Sequence, residues 1–331
     1  MAITAPLLWL DGTLVESKTA TIPMMAHAPQ RGSLVFDVGS FHPVKLGVAM
    51  FRAREHVARF LRSANIVGLA LAYDEEALLR AANDVVIAAD RDEGLIRWSV
   101  YFTSSEPDLL PRDASTHVAV AAQLLQDPPR TRPIRIATFD DARKAAPEAL
   151  SPEAKVAAAY LGPMLARKRA IAAGADDVVL LDDQGFIAES PISNVFAVSK
   201  GVLWTPPLGR VLPGITRDAV LALAAHEGIE VREAPLTREA FGSADEAFLS
   251  GTSLPIAAIG TIDGRELGSA PGPVTIRLTS RLVATQRGED PAFAEWLTRV
   301  VRRERITRRR SRRARGELGT RGPAGGGDPP G

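Results

Sequence analysis

Four stretches of this chain carry side chains that could do chemistry together. Lys155 lies in Ser151-Pro152-Glu153-Ala154-Lys155-Val156-Ala157-Ala158-Ala159-Tyr160, among small apolar neighbours where a helix is expected to begin. Desolvation lowers an amine's pKa, and only a neutral amine attacks a carbonyl. Glu189 stands between Gly185-Phe186-Ile187-Ala188 and Ser190-Pro191-Ile192-Ser193-Asn194-Val195-Phe196, an acid at a strand end with a loop returning through Asn194. A carboxylate there could keep a pyridine nitrogen protonated. Leu212-Pro213-Gly214-Ile215-Thr216-Arg217-Asp218 opens a predicted helix whose first amides are unpaired, a ready cradle for a phosphate. Ser250-Gly251-Thr252-Ser253, after the apolar run Ala247-Phe248-Leu249, offers a second hydroxyl-rich turn.

Each feature also has an ordinary reading. Lysines at helix starts and glutamates in turns are mostly solvated, and Thr216 could simply be the N-cap of an ordinary helix. Other chemistries lose ground. There is no cysteine, which removes disulfides, thiolate metal sites and a thiol nucleophile. His27, His42, His56, His117 and His226 show no zinc spacing, so no metal is expected. No nucleophile elbow, Walker loop or dinucleotide glycine fingerprint occurs.

The elements that must position these residues follow from periodicity and turn chemistry. Residues 7–10 and 13–15 flank Asp11-Gly12 and predict a hairpin. Strands are expected at 32–38, 95–103, 117–125, 134–139, 178–181, 194–198 and 246–250, and helices at 54–63, 75–89, 156–173 and 217–227. The expectation is an α/β domain over 1–126, a stiff Pro-rich linker over 127–133, a second α/β domain over 134–301, and a disordered tail over 302–331.

The chain has 331 residues, 46% hydrophobic and 24% charged, enough to bury a sizeable core. The net charge of +1 conceals ten arginines against three acids in residues 302–331, so the body is mildly acidic and is not expected to bind nucleic acid. The amino terminus has no basic region, and Asp11-Gly12 cuts its apolar run short, so a cytoplasmic protein without a membrane span is expected. A non-enzymatic alternative is polyanion binding through Arg302 to Arg315, although no aromatic residue interleaves those arginines for base stacking. Deletion of 302–331 would separate that activity from any catalysis in the body.

Taken in order, the lysine, E-x-x-x-x-N-x-F at 189–196, L-P-G-I-T-R at 212–217 and S-G-T at 250–252 resemble the fold type IV aminotransferases, the branched-chain amino acid aminotransferases most closely. The resemblance runs over roughly residues 7–300, through Gly228-Ile229-Glu230-Val231-Arg232-Glu233 and Gly272-Pro273-Val274-Thr275. It implies an α/β (α+β) two-domain fold, with a small N-terminal domain and a larger C-terminal pseudo-barrel domain, and pyridoxal 5′-phosphate as cofactor.

The resemblance also implies roles for individual residues. Lys155 becomes the Schiff-base lysine and proton carrier, Tyr160 a partner of the ring hydroxyl, and Glu189, beside Asn194, the partner of the pyridine nitrogen. Arg59, in Phe51-Arg52-Ala53-Arg54-Glu55-His56-Val57-Ala58-Arg59, joins Gly214, Ile215, Thr216 and Thr252 around the phosphate. Thr252 and Ser253 would present backbone donors to the substrate carboxylate, and Phe36 and Arg97 fall on substrate-pocket positions. A homodimer working on an amino donor and a 2-oxo acid by a ping-pong route is implied.

The substrate pocket departs from the branched-chain pattern at Arg31, Asp37-Val38, Leu95, Leu125 and Pro128. D-amino acid and (R)-amine transaminases and 4-amino-4-deoxychorismate lyase carry the same cofactor residues. They remain alternatives, and Arg97 favours a substrate with a second carboxylate, such as glutamate.

Overall fold

Asp11 and Gly12 both have positive φ, 45° and 101°, as a two-residue hairpin turn requires. They fold β1 (Ala2–Leu10) back on β2 (Thr13–Glu16), with Leu10 opposite Thr13. The computed structural model describes residues 2–126, 132–268 and 270–301, so the tail and residues 127–131 of the expected linker lie outside the described residues.

Four more strands extend this hairpin into an antiparallel sheet: β3 (Leu34–Val44), β4 (Gly47–Phe51), β5 (Gly94–Phe102) and β6 (Thr116–Leu125). A short helix, α1 (His27–Arg31), precedes β3, and α2 (Ala53–Val67) and α3 (Glu75–Ala89) follow β4. Successive side chains alternate across a strand. Val35, Ile96, Trp98, Val100, Val118, Val120 and Ala122 therefore pack with Val57, Phe60, Leu78 and Val85 of the helices into one core. Phe36, Val38, Leu95, Arg97 and Gln123 point the other way and become one wall of a cavity.

The second sheet contains β7 (Ile134–Arg143), β8 (Asp177–Leu181), β9 (Asn194–Ser199), β10 (Val202–Thr205), β11 (Val231–Glu233), β12 (Glu246–Gly251) and β13 (Leu254–Ile262). Their order is β11-β10-β9-β12-β13-β7-β8, with β14 (Arg265–Glu266) paired to β13. Its helices are α4 (Leu161–Ala172), α5 (Ile215–His226), α6 (Arg238–Gly242) and α7 (Pro273–Gln286). Helices α5 and α7 share a core with Phe196, Leu203 and Phe248 of the sheet. The last strand, β15 (Leu297–Arg299), returns to the first sheet and pairs with β4.

Most expected elements are present with shifted ends. The helix expected over 156–173 is corrected: Ala157–Tyr160 form a 3-10 turn and the α-helix starts only at Leu161. Lys155 thus lies two residues ahead of the 3-10 turn and outside the α-helix. Its carbonyl accepts from Phe36 N (3.0 Å) and Val156 bridges Val35, so pairing with β3 overrides local helix preference. Helix α5 begins at Ile215 with Gly214 as N-cap, so Thr216 lies inside the first turn and is not the cap.

Candidate active site

Extended pairing against β3 brings Lys155 into a cavity of about 480 Å³ whose lining includes residues of both sheets. Lys155 Nζ donates to the Tyr160 hydroxyl at 2.7 Å and lies 4.9 Å from the centre of the Phe36 ring. Burial, reinforced by the nearby Arg59 charge, lowers this amine from the ordinary lysine value of 10.5 to about 8. Burial and the Glu189 charge push the Tyr160 phenol up, so it stays protonated beside the amine.

At pH 8 about half of such amines are neutral, against well under one part in a hundred for an ordinary lysine. Carbonyl capture by the cofactor-free protein is therefore expected to rise with pH and level off just above 8. Stopped-flow absorbance with an aldehyde would check this, and a rise continuing past pH 10 would contradict the desolvated amine.

Opposite the lysine, Gly214 caps α5 in extended conformation without any side-chain cap, leaving the first amides of Ile215 and Thr216 open at the cavity wall. Arg59 reaches the same place from α2. Its Nε and Nη2 donate to Asp37 at 2.7 and 2.9 Å and its Nη1 to Pro213 O at 3.0 Å. Asp37 is fully buried and also accepts from Val38 N and His56 Nδ1, each at 2.7 Å. Burial alone would raise its carboxyl, but Arg59 and His56 outweigh burial and hold it well below the usual carboxylate range. The turn Gly251-Thr252-Ser253 between β12 and β13 closes this end of the cavity.

Glu189 is on an adjoining cavity of about 230 Å³ that shares Lys155, Tyr160, Asn194 and Leu212 with the first. One oxygen accepts from Asn194 Nδ2 (3.2 Å) and Leu212 N (3.0 Å), and the other contacts Lys144 Nζ. At the far wall the Arg97 guanidinium lies 4.0 Å over the Phe36 ring. It has no carboxylate partner among the described residues, and burial pushes its pKa down.

The sequence-selected residues Phe36, Arg59, Arg97, Lys155, Tyr160, Asn194, Gly214, Ile215, Thr216, Thr252 and Ser253 all line the main cavity, with Glu189 next door. Sequence reasoning did not select Lys144 or Gln123. Strand alternation could have found Gln123, since it lies two residues from Leu125 on the same strand. Lys144 had no signal, because its contact with Glu189 spans 45 residues.

Three observations test the fit of a phosphorylated pyridine aldehyde. The helix start is uncapped and flanked by a guanidinium. Ser250 Oγ is buried at the cavity without a hydrogen-bond partner among the described residues. The glycines leave no room for side chains: a Cβ on Gly214 would fall 2.0 Å from Asn194 Oδ1, and one on Gly251 2.7 Å from Ser193 Oγ. The group fits: an anion cradle and a reactive amine line the main cavity, and a carboxylate lines the one adjoining it.

Such a fold and site define a pyridoxal-phosphate enzyme. The family model for amino-transferase class IV matches residues 35–262, and the chain belongs to that family. It is 32% identical over 298 residues to the branched-chain-amino-acid aminotransferase of Pseudomonas aeruginosa, spanning 88% of this chain and 97% of that one. Among solved structures it is similar to the branched-chain aminotransferase of Thermoproteus uzoniensis with norvaline (TM-score 0.86, 32% identity, 90% and 100% of the chains). It is also similar to the branched-chain amino acid aminotransferase of Thermobaculum terrenum in its PLP-form, the holo-form (TM-score 0.84, 26% identity, 90% and 99% of the chains).

Proposed function

We propose that this aminotransferase exchanges amino groups between a branched-chain-like amino acid and a 2-oxo acid, with glutamate or its oxo acid as one partner, by a ping-pong route. The observation that carries the chemistry is the buried Lys155 amine, bonded to Tyr160, beside the uncapped start of α5. When bound, the cofactor supplies an aldehyde carbon to take the amino group and a pyridinium ring to draw electrons from the substrate α-carbon.

The residues divide that work. Arg59, the Ile215 and Thr216 amides and Thr252 hold the phosphate dianion, as a guanidinium and helix-start donors do well. Gly214 allows the close approach. Glu189, held in place by Asn194, Leu212 N and Lys144, keeps a proton on the ring nitrogen. Tyr160 orients Lys155 Nζ and donates toward the ring hydroxyl. Lys155 Nζ would take the proton from the substrate α-carbon and deliver it to the cofactor carbon that carried the aldehyde, which demands an amine whose pKa lies near the working pH. Thr252 and Ser253 offer backbone donors to the substrate carboxylate, and Phe36, Val38 and Leu95 give its side chain an apolar wall.

Arg97 supports the glutamate half of this reading, because a part-buried guanidinium without an acid partner among the described residues is completed by a substrate's second carboxylate. In the Arg97→Ala variant, kcat/KM for glutamate is expected to fall about 50-fold while that for leucine changes less than about threefold. Equal losses on both substrates would contradict the assignment.

The whole reading is tested by visible spectra of the protein with pyridoxal phosphate, before and after L-leucine, D-alanine, L-glutamate and an (R)-amine. Bleaching by the two L-amino acids is expected. Bleaching by D-alanine or the amine alone would assign the chain to the D-amino acid or (R)-amine branch, and a lyase would release product without an acceptor.

A homodimer and a cytoplasmic location complete the proposal. Helix α4 buries only Ala170 in this chain and exposes Leu161, Met164, Leu165 and Ile171, an apolar face suited to a second copy. Among the described residues no helix is long and apolar enough to cross a membrane. We place the division between the two lobes at residues 127–133.

A further inference from the structure

Two arginines along α2, Arg52 at its N-cap and Arg59 seven residues on, lie about two turns apart on the same side. Both grip the segment that opens α5. Arg59 donates to Pro213 O from the cavity side. Arg52 lies outside the main cavity: its Nη1 donates to Asp218 Oδ2 at 2.6 Å and to Ile215 O at 3.4 Å, and its Nε to Glu55 at 2.7 Å. The Arg52 guanidinium also lies 4.7 Å over the Trp296 ring, and its backbone N donates to Trp296 O at 2.7 Å. Its side chain is 9% exposed. Its φ of 48° is left-handed, a conformation that costs a residue other than glycine on the order of 1 kcal/mol and marks a position held for its contacts.

We propose that Arg52 is a positioning residue for the phosphate cradle. It fixes the first turn of α5 against α2, so that the Ile215 and Thr216 amides and Arg59 face one point. It also neutralises Asp218, a carboxylate in that first turn whose charge opposes a dianion at the same helix start. Loss of alignment and loss of neutralisation both weaken phosphate binding, so the direction of the effect is fixed. The proposal rests on the reading of Ile215, Thr216 and Arg59 as phosphate ligands.

The test compares pyridoxal phosphate with pyridoxal, which has the same ring and aldehyde but no phosphate. Dissociation constants are read from the Lys155-dependent visible band, with Lys155→Ala as blank. Arg52→Met is expected to weaken pyridoxal phosphate about tenfold and pyridoxal less than about twofold. Equal weakening of both, or of neither, would overturn the proposal, since a merely structural arginine moves both together. Should Arg52→Met fail to fold, Arg52→Lys keeps the charge and loses the planar donor set by which Nη1 holds Asp218 and Ile215 O while Nε holds Glu55. It is expected to give a phosphate-selective loss of about threefold, and unchanged selectivity would sink the idea. A wild-type protein without any Lys155-dependent band would instead overturn the cofactor reading itself.

Discussion

Lys155→Ala is expected to lower transamination by at least about a thousandfold, because one amine serves both as carbonyl nucleophile and as proton carrier. The Lys155-dependent visible band should vanish, while pyridoxal phosphate still binds, more weakly, through Arg59 and the start of α5. The fold should survive. Lys155 holds its place through backbone bonds, its N donating to the Ser63 hydroxyl oxygen at 3.2 Å and its O accepting from Phe36 N. Neither needs the side chain. Single-turnover kinetics with leucine, alongside a thermal melt, would check the result, and activity within tenfold of wild type would remove Lys155 from the mechanism.

The second large effect comes from adding one methyl group. In Gly214→Ala the new carbon falls 2.0 Å from Asn194 Oδ1 and 3.2 Å from Arg217 Cβ. Backbone conformation is not the obstacle, since φ at Gly214 is −69°. The obstacle is that Asn194 cannot step aside cheaply: its amide donates to Glu189 and to Leu212 O (3.0 Å), so moving it loosens the ring-nitrogen carboxylate and the turn before the cradle. Overpacking of this kind costs about 1–3 kcal/mol of stability. Cofactor affinity is expected to fall about a hundredfold, since the displaced groups are the binding site. Gly162→Ala, in α4 with nothing within 4 Å of the added carbon, is the control and should be neutral or slightly stabilising. A melt and a cofactor titration that treat the two variants alike would show that the close approach at Gly214 is not needed.

Lys155, Glu189, Gly214 and Thr252 could be picked out of the sequence because each sits in a short segment whose residue types carry meaning: an amine among small neighbours, an acid before a return loop, a glycine opening a helix. The order of those segments carried the resemblance. Helix α3 was legible from its periodicity to the residue, since Glu75–Ala89 is amphipathic and capped by Asp74, whose side chain accepts from Ala77 N. The short strands β4, β10 and β15 were not legible, and neither was helix α7. Glu246, at the start of β12, caps α7 by accepting from Val274 N and Thr275 N, a pairing across 28 residues that no local pattern announces.

The amino-acid order by itself determined the chemistry available and most of the elements, because side-chain type and local period are properties of neighbours in the chain. Tertiary structure alone decided that the backbone at Lys155 and Val156 pairs with β3 and that the α-helix starts only at Leu161. It also decided that Asp37 turns away from the cavity to hold Arg59, that Lys144 reaches Glu189, and that Arg52 braces α5. Each of these joins residues 22 or more positions apart, or sets a backbone pairing against local propensity. Such contacts depend on which faces the two sheets present to one another, and that is fixed only when their cores are packed.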